Sequence, residues 1–300
     1  MQLLRRRNVS FKSVGQLKVL TYNTWLLPFF AQDLAIRRSC LVAQVAQVDA
    51  DILALQEVWQ RADRQMIICD FAKRGYRYSL HNSGRARGLR GWLGNGLLLL
   101  SKYPMRVGSP PLHFDDYTEG KEFFASKGCL HAVIDLPKLG AIDFFNTHFG
   151  SLAWLALKKE FCRQHELRHG RQLKQFIDYV ADRGKNKVRI LAGDFNFHPG
   201  TEPSSCYAQI ESKLKVQSTF SWNQPLRFPT PTFDYQNPYL RKFQKLGIPS
   251  QHLDYIFLSR EAEKITPTES ALVLTESNVQ PTGQPLSDHY GVLTTFFIDA

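Results

Sequence analysis

Two polar side chains at the end of an apolar run open the chemistry of this chain. Val188 to Ala192, with Arg189 inside it, has the make-up of a strand. Gly193 ends that run, Asp194 and Asn196 follow two positions apart, and Pro199-Gly200 stops regular structure. In an extended segment residues two apart point to the same side, so this carboxylate and carboxamide would aim together at one point beyond the strand end. Such an oxygen-rich pair suits a hard cation and its bound water. The same spelling also serves as ordinary strand-ending turn chemistry, so other segments must decide.

Other polar residues fall at comparable places. Asn23, Glu57 and His148 each stand where an apolar run stops, whereas Asp254 and the pair Asp288-His289 stand where one begins. Taken singly, each has a plain alternative: a strand-ending Asn, a solvated Glu, a hydrogen-bonded structural His, a turn Asp, a loop. Together they fit one edge of a sheet stack, provided that the late strands run opposite to the early ones, and open α/β sheets carry their sites at such an edge.

The elements that must position them are legible as follows. Strands are expected at Leu17 to Tyr22, Ile52 to Gln56, Tyr76 to Leu80, Gly96 to Ser101, Leu130 to Leu136, Ala141 to Asn146, Asp254 to Leu258, Ala271 to Thr275 and Tyr290 to Ile298. Helical spacing covers Asp33 to Val48, with Asp33 placed as the N-cap, then Arg61 to Arg74, Lys158 to Arg183 with a break suggested at Gly170, and about 203 to 214. Residues 102 to 128 and 218 to 251 look irregular. No repeat, low-complexity linker or domain boundary is visible, and one mixed α/β domain is the simplest organisation.

The 300 residues carry 43% hydrophobic and 22% charged side chains, ordinary for a globular protein, but a net charge of +11. That field favours an anionic partner, nucleic acid or an anionic membrane surface, and does not choose between them. Five cysteines (Cys40, Cys69, Cys129, Cys162, Cys206) without a C-x-x-C argue against a zinc ribbon and a disulfide framework. Arg5-Arg6-Arg7 is not followed by the apolar core of a signal peptide, and no run reaches transmembrane length. A location in the cytoplasm, or peripheral to a membrane, is expected.

The set Tyr22-Asn23-Thr24, Leu55-Gln56-Glu57-Val58, Asn146-Thr147-His148, Gly193-Asp194-Phe195-Asn196, Leu253-Asp254-Tyr255 and Ser287-Asp288-His289 resembles the endonuclease/exonuclease/phosphatase superfamily, in its order, over about residues 17 to 297. Trp25 after Asn23-Thr24, Trp59 after Glu57-Val58, Asn95 between two glycines, Ser126-Lys127-Gly128, and Thr232-Phe233-Asp234 with Asn237-Pro238 look closest to its neutral sphingomyelinase branch.

The resemblance implies a DNase I-like four-layer α/β/β/α sandwich, two packed mixed sheets flanked by helices, as one catalytic domain over 17–300 after a basic leader, 1–16. It implies Mg²⁺, with Mn²⁺ as a substitute, held by Glu57 with Asn23 and Asp288 close by. His289 would be the general base, oriented by Asp254; Asp194 and Asn196 would place the water and the phosphate; His148 would hold a phosphate oxygen. Trp25, Trp59, Asn95 and Lys127 would line the substrate. The expected activity is hydrolysis of a phospholipid diester, sphingomyelin foremost, with a nuclease or an inositol-phosphate phosphatase as alternatives. Apolar Trp25 to Phe30, directly after Asn23, suits lipid contact if exposed and a sheet-edge core if not; no protein partner is indicated.

One motif competes. His165-Glu166-Leu167-Arg168-His169 matches H-E-x-x-H, which on a helix puts two imidazoles one turn apart with a Glu to activate zinc-bound water. Its basic surroundings, Arg163, Arg171 and Lys174, read as a solvated helix face, and no third ligand follows.

Overall fold

The computed structural model describes residues 15–82, 94–114, 125–151, 159–197, 199, 205–222, 230–241, 245, 249–276, 279 and 282–299, the side chains of 159–166 excepted. The basic leader, apart from 15 and 16, and residues 83–93, which include Arg85, Arg87, Arg90 and Trp92, lie outside them.

In chain order the elements are β1 (Gln16–Asn23), α1 (Leu34–Gln47), β2 (Ile52–Gln56), α2 (Arg61–Ala72), β3 (Tyr78–His81), β4 (Leu98–Ser101), β5 (Met105–His113), β6 (Gly128–Leu136), β7 (Gly140–His148), α3 (Lys159–Arg183), β8 (Arg189–Asp194), α4 (Cys206–Leu214), β9 (Val216–Ser218), β10 (Asp254–Ser259), β11 (Ile265–Val273) and β12 (Gly291–Ile298). They form two six-stranded sheets, ordered β11-β12-β1-β2-β4-β3 and β5-β6-β7-β8-β10-β9. Each sheet has one parallel pair near its middle, β1 with β2 and β7 with β8, joined by α1 and α3 respectively. Their other neighbours run antiparallel: β12 beside β1, β10 beside β8. The late strands therefore begin where the early ones end.

Alternation along the strands builds the layers. Leu17, Val19, Ile52 and Ala54 of the first sheet meet Ile142, Phe144, Ile190, Ala192, Ile256 and Leu258 of the second in one buried apolar layer. The intervening residues face outward: Leu20, Tyr22, Leu53 and Leu55 pack on Leu41, Val45, Ile67 and Phe71 of α1 and α2. Phe145, Leu191, Tyr255 and Phe257 pack on Phe176, Val180, Ile210 and Leu214 of α3 and α4. The result is the expected helix–sheet–sheet–helix sandwich. Buried on both faces, these strands read as continuous apolar runs, with nothing in the sequence to say which face is which.

Four expectations are corrected. Residues 102 to 128 are not irregular throughout: β5 is a nine-residue strand that shifts register twice against β6. It lies at a sheet edge, and Pro110 and Pro111 fall in the second register shift, between Ser109 and Leu112, where the ladder is already interrupted. β11, likewise an edge strand and bulged between Pro267 and Glu269, starts well before Ala271. Asp33 takes a left-handed conformation and makes no side-chain cap to α1; its carboxylate instead accepts from the Tyr239 hydroxyl at 3.0 Å. α3 passes through Gly170 without a break, since that residue faces open space and its hydrogen bond to the preceding turn survives without a side chain.

Candidate active site

The polar residues continue the inter-sheet face. On β1 the series Leu17, Val19 goes on to Thr21 and Asn23; on β2, Ile52 and Ala54 go on to Gln56; on β7, Ile142 and Phe144 go on to Asn146 and His148; Asp194 follows Ala192 and Asp254 precedes Ile256. The apolar layer is therefore capped by two polar tiers.

The lower tier bridges the sheets. Gln56 donates from Nε2 to Asn146 Oδ1 at 2.9 Å and to Thr21 Oγ1 at 3.1 Å. Asn146 donates in turn to the carbonyls of Leu55 and Leu98. Both side chains are fully buried, so they are structural ties.

The upper tier is the site. Register places His148, Asp194 and Asp254 side by side across β7, β8 and β10. Gly193 lets β8 lie close to β7 there, because a Cβ at that position would sit 2.1 Å from the Thr147 carbonyl oxygen. His148 Nε2 is 3.3 Å from Asp194 Oδ2, and Asn23 Nδ2 donates to the same oxygen at 3.0 Å and to Glu57 Oε1 at 3.3 Å. Beyond the strand ends, Ser287 Oγ donates to the Asn23 carbonyl at 2.7 Å and anchors the segment that carries Asp288 and His289. His289 then places Nδ1 2.8 Å from Asp254 Oδ2 and Nε2 3.9 Å from Asp194 Oδ2.

Asn196 reaches the site differently from the extended pair expected. β8 ends at Asp194, and Asn196 has a positive φ of 51°. Its backbone N–H donates to Asp194 Oδ1 at 3.0 Å, and its Nδ2 donates to the Phe149 carbonyl. Lys127 Nζ donates to that same carbonyl at 3.0 Å. Trp25 and Glu57 also carry positive φ values, of 47° and 61°. Side-chain-bearing residues avoid that region, and its use just past strand ends clusters at functional sites.

Of the residues assigned to substrate, Trp59 is buried over Gly96 and donates from Nε1 to Glu57 Oε2 at 3.4 Å. Asn95 is fully buried, with its Oδ1 accepting from Leu97 N. Trp25 donates its backbone N–H to Asn23 Oδ1, and its ring packs on Tyr239. Gln56, Asn146 and Ser287 drew no role from the sequence; the strand parity that marks the first two is visible only once one face is known.

The charges are tightly interlocked. Burial works against the Asp194 carboxylate, yet His289 and His148 outweigh it and hold the group below the usual carboxylate range. Asp254 is raised, chiefly by burial and further by Asp194, against the pull of His289. Burial, with Glu57 nearby, pushes Asp288 up to about 7 despite His289 and Arg37. Burial opposes charge on His289, but Asp254, Asp194 and Asp288 push it up to about 10.

Ligand atoms of Asp194, Asp254 and His289 lie within 4.8 Å of one another. One of these three contacts, His289 to Asp254, is a hydrogen bond, which an ion between them would break. The Asn23 N–H₂ group lies between the Glu57 and Asp194 carboxylates as their shared donor, and Asp288 is close enough to Glu57 to be raised by it after burial. Carboxylate oxygens of this kind have the chemistry that a hard divalent cation takes. The H-E-x-x-H helix gains no support: His169 is buried and donates from Nε2 to the Gly150 carbonyl at 2.7 Å, leaving that nitrogen no lone pair for a metal, while the side chains of His165 and Glu166 lie outside the described residues. Among the described residues no helix is long and apolar enough to cross a membrane.

A sequence model described as the Endonuclease/Exonuclease/phosphatase family matches residues 20–289. The chain is 27% identical over 203 residues to the inositol phosphosphingolipids phospholipase C of Schizosaccharomyces pombe, an alignment covering 65% of this chain and 44% of that protein. It thus spans less than half the length of that relative. Among solved structures, sphingomyelinase C from Streptomyces griseocarneus superposes with a TM-score of 0.68 at 22% identity, over 94% of this chain and 99% of that one. A beta toxin mutant from Staphylococcus aureus with bound magnesium ions superposes with a TM-score of 0.66 at 18% identity, over 95% and 100%.

Proposed function

The chain belongs to the endonuclease/exonuclease/phosphatase family, and on that premise we propose that it is a divalent-metal-dependent phosphodiesterase acting on phosphosphingolipids of the sphingomyelin class. The observation that carries the hydrolytic reading is the His289–Asp254 dyad, whose Nε2 faces Asp194 at the mouth between the sheets.

In this reading Asp254 holds the Nδ1 proton of the imidazole. The carboxylates that keep the ring charged up to about 10 in the metal-free protein would pull on it less with a cation bound, and Nε2 of the neutral ring removes the proton from the attacking water. Asp194, held in place by the Asn196 N–H, orients that water in line with phosphorus. His148 and Lys127 face the oxygens on which negative charge builds up. Glu57, Asn23 and Asp288 would hold Mg²⁺ or Mn²⁺, which when bound neutralises charge on the phosphate and on the departing oxygen. Trp59 and Asn95 support this wall from beneath.

The lipid reading is supported by the relatives' printed activities and by the turn after Trp25. Phe29 is 97% exposed and Phe30 46%, whereas Leu26 and Pro28 are buried. The sequence left core and lipid contact open for this run; the two phenylalanines are exposed six and seven residues after Asn23, and exposed apolar side chains suit a bilayer. The net charge of +11 keeps nucleic acid as a second reading.

Phosphocholine release from sphingomyelin vesicles with and without Mg²⁺, run beside plasmid nicking and inositol-phosphate hydrolysis, separates these. Metal-dependent release is expected. Nicking without lipid turnover would transfer the site to nucleic acid.

A further inference from the structure

Arg37, in the first turn of α1, is fully buried and meets no carboxylate in its hydrogen bonds. Its Nε donates to the Gln32 carbonyl at 2.8 Å and its Nη2 to the Trp25 carbonyl at 2.8 Å. Nη1 donates to the carbonyls of Thr24 at 3.1 Å and Leu286 at 3.0 Å. The guanidinium also lies 4.8 Å from the Trp25 ring centroid and 5.8 Å from that of Tyr239. Three of its acceptors therefore flank the turn that exposes Phe29 and Phe30. The fourth lies two residues before Asp288 and three before His289.

We propose that Arg37 is a positioning residue that couples seating of the Phe29–Phe30 turn on a lipid surface to placement of the Leu286–His289 segment. The inference rests on the phospholipid reading above. A guanidinium is a rigid planar fork, so its donors move together: displacement of the Trp25 and Gln32 carbonyls rotates the same group that holds Leu286. The link is short, because Ser287 follows Leu286 directly and is tied to Asn23, and His289 lies two residues further on. Lysine keeps the charge but offers its donors from one point, and cannot span the two segments. The basic balance of the chain favours an anionic bilayer as the surface.

The test is hydrogen–deuterium exchange of the full chain with and without phosphatidylserine–phosphatidylcholine vesicles, read at residues 24–33 and 284–290. In the wild type, vesicles should slow exchange in both segments. In Phe29→Ser/Phe30→Ser, changed only on the exposed turn, they should slow neither. In Arg37→Lys they should slow 24–33 alone. On sphingomyelin vesicles Arg37→Lys should lower kcat at least ~10-fold with KM within about twofold, whereas the double serine variant should raise KM. Protection of 24–33 without 284–290 in the wild type overturns the coupling and leaves the phospholipid reading standing, and this arm needs no variant to fold. Protection of 284–290 that persists in Arg37→Lys, or a wild-type kcat in it, also overturns the coupling. If vesicles protect neither segment of the wild type and sphingomyelin is not cleaved, the phospholipid reading falls and takes the coupling with it.

Discussion

His289 and Asp254 meet at 2.8 Å from opposite sheets: Asp254 opens β10 of one, and His289 leads into β12 of the other. The dyad exists only when the two sheets are packed. If it moves the proton of the attacking water, His289→Ala should lower turnover at least ~10²-fold, the usual scale for a positioned acid or base, and Asp194→Ala should do the same by releasing that water. Asp254→Asn should fall between these and the wild type, since a carboxamide can hold the ring but not stabilise its cation. Initial rates on sphingomyelin with Mg²⁺, on variants with wild-type circular dichroism, check this. A near-normal rate in folded His289→Ala would remove the residue from proton transfer.

The same dyad sets a pH dependence in the metal-free protein. Asp254, Asp194 and Asp288 push His289 up to about 10, from an ordinary value of 6.5, against its burial. A group held above its unfolded value contributes stability that is complete below about 6.5 and is lost as pH rises through about 10. With EDTA present, the stability of the wild type should therefore decline relative to His289→Gln across that interval. Urea midpoints at half-unit pH steps measure it, and a constant difference between the two proteins would show that the imidazole is not held charged.

Beneath the site, Gln56 and Asn146 carry a structural load. Gln56→Leu leaves Asn146 Oδ1 without the donor that reaches it at 2.9 Å, in a fully buried tier. An unsatisfied buried acceptor costs about 1–3 kcal/mol, so Gln56→Leu should destabilise by that amount. Asn146→Leu loses the same bond but leaves Gln56 Nε2 its acceptors on Thr21 and Ala54. Replacing both removes the orphan as well as the bond, and the double variant should lose less than the sum of the singles. Chemical denaturation of the four proteins closes the cycle; strict additivity would mean that the two side chains do not depend on each other.

How much of this could be read from the amino acids follows from the geometry. Asn23, Glu57, His148, Asp194, Asp254 and His289 were visible because each interrupts an apolar run, and a polar residue at a strand end is informative wherever the strand itself is buried. β5 and β11 were missed in whole or part, because edge strands are free to hold prolines and bulges that remove the usual signal. The inter-sheet parity of Thr21, Gln56 and Asn146 was hidden because Leu20, Tyr22, Leu53, Leu55 and Phe145 on the opposite faces are equally apolar. Asn196 defeated the extended-strand argument because a left-handed residue breaks the period of two. Arg37 carried no signal at all: its partners are main-chain carbonyls, and a carbonyl has no letter in a sequence.

Glu57 offers a case in which stability and function should move in opposite directions. It adopts φ 61°, a conformation that costs a side-chain-bearing residue about 1–2 kcal/mol and glycine nearly nothing. Its two hydrogen bonds, to Asn23 at 3.3 Å and Trp59 at 3.4 Å, are long, and its carboxylate raises Asp288 next to it. Glu57→Gly should therefore keep or raise the melting temperature of the metal-free protein, by up to about 1 kcal/mol of stability once the flexibility of an unfolded glycine is deducted. The same change removes an oxygen that the proposed cation site uses. Added Mg²⁺ should raise the wild-type melting temperature in proportion to the logarithm of its concentration above the dissociation constant, and should leave Glu57→Gly where it was. Thermal scans in EDTA and across a Mg²⁺ series separate the two effects. A variant that melts well below the wild type in EDTA would show that Glu57 stabilises the fold, and one that still responds fully to Mg²⁺ would place the cation elsewhere.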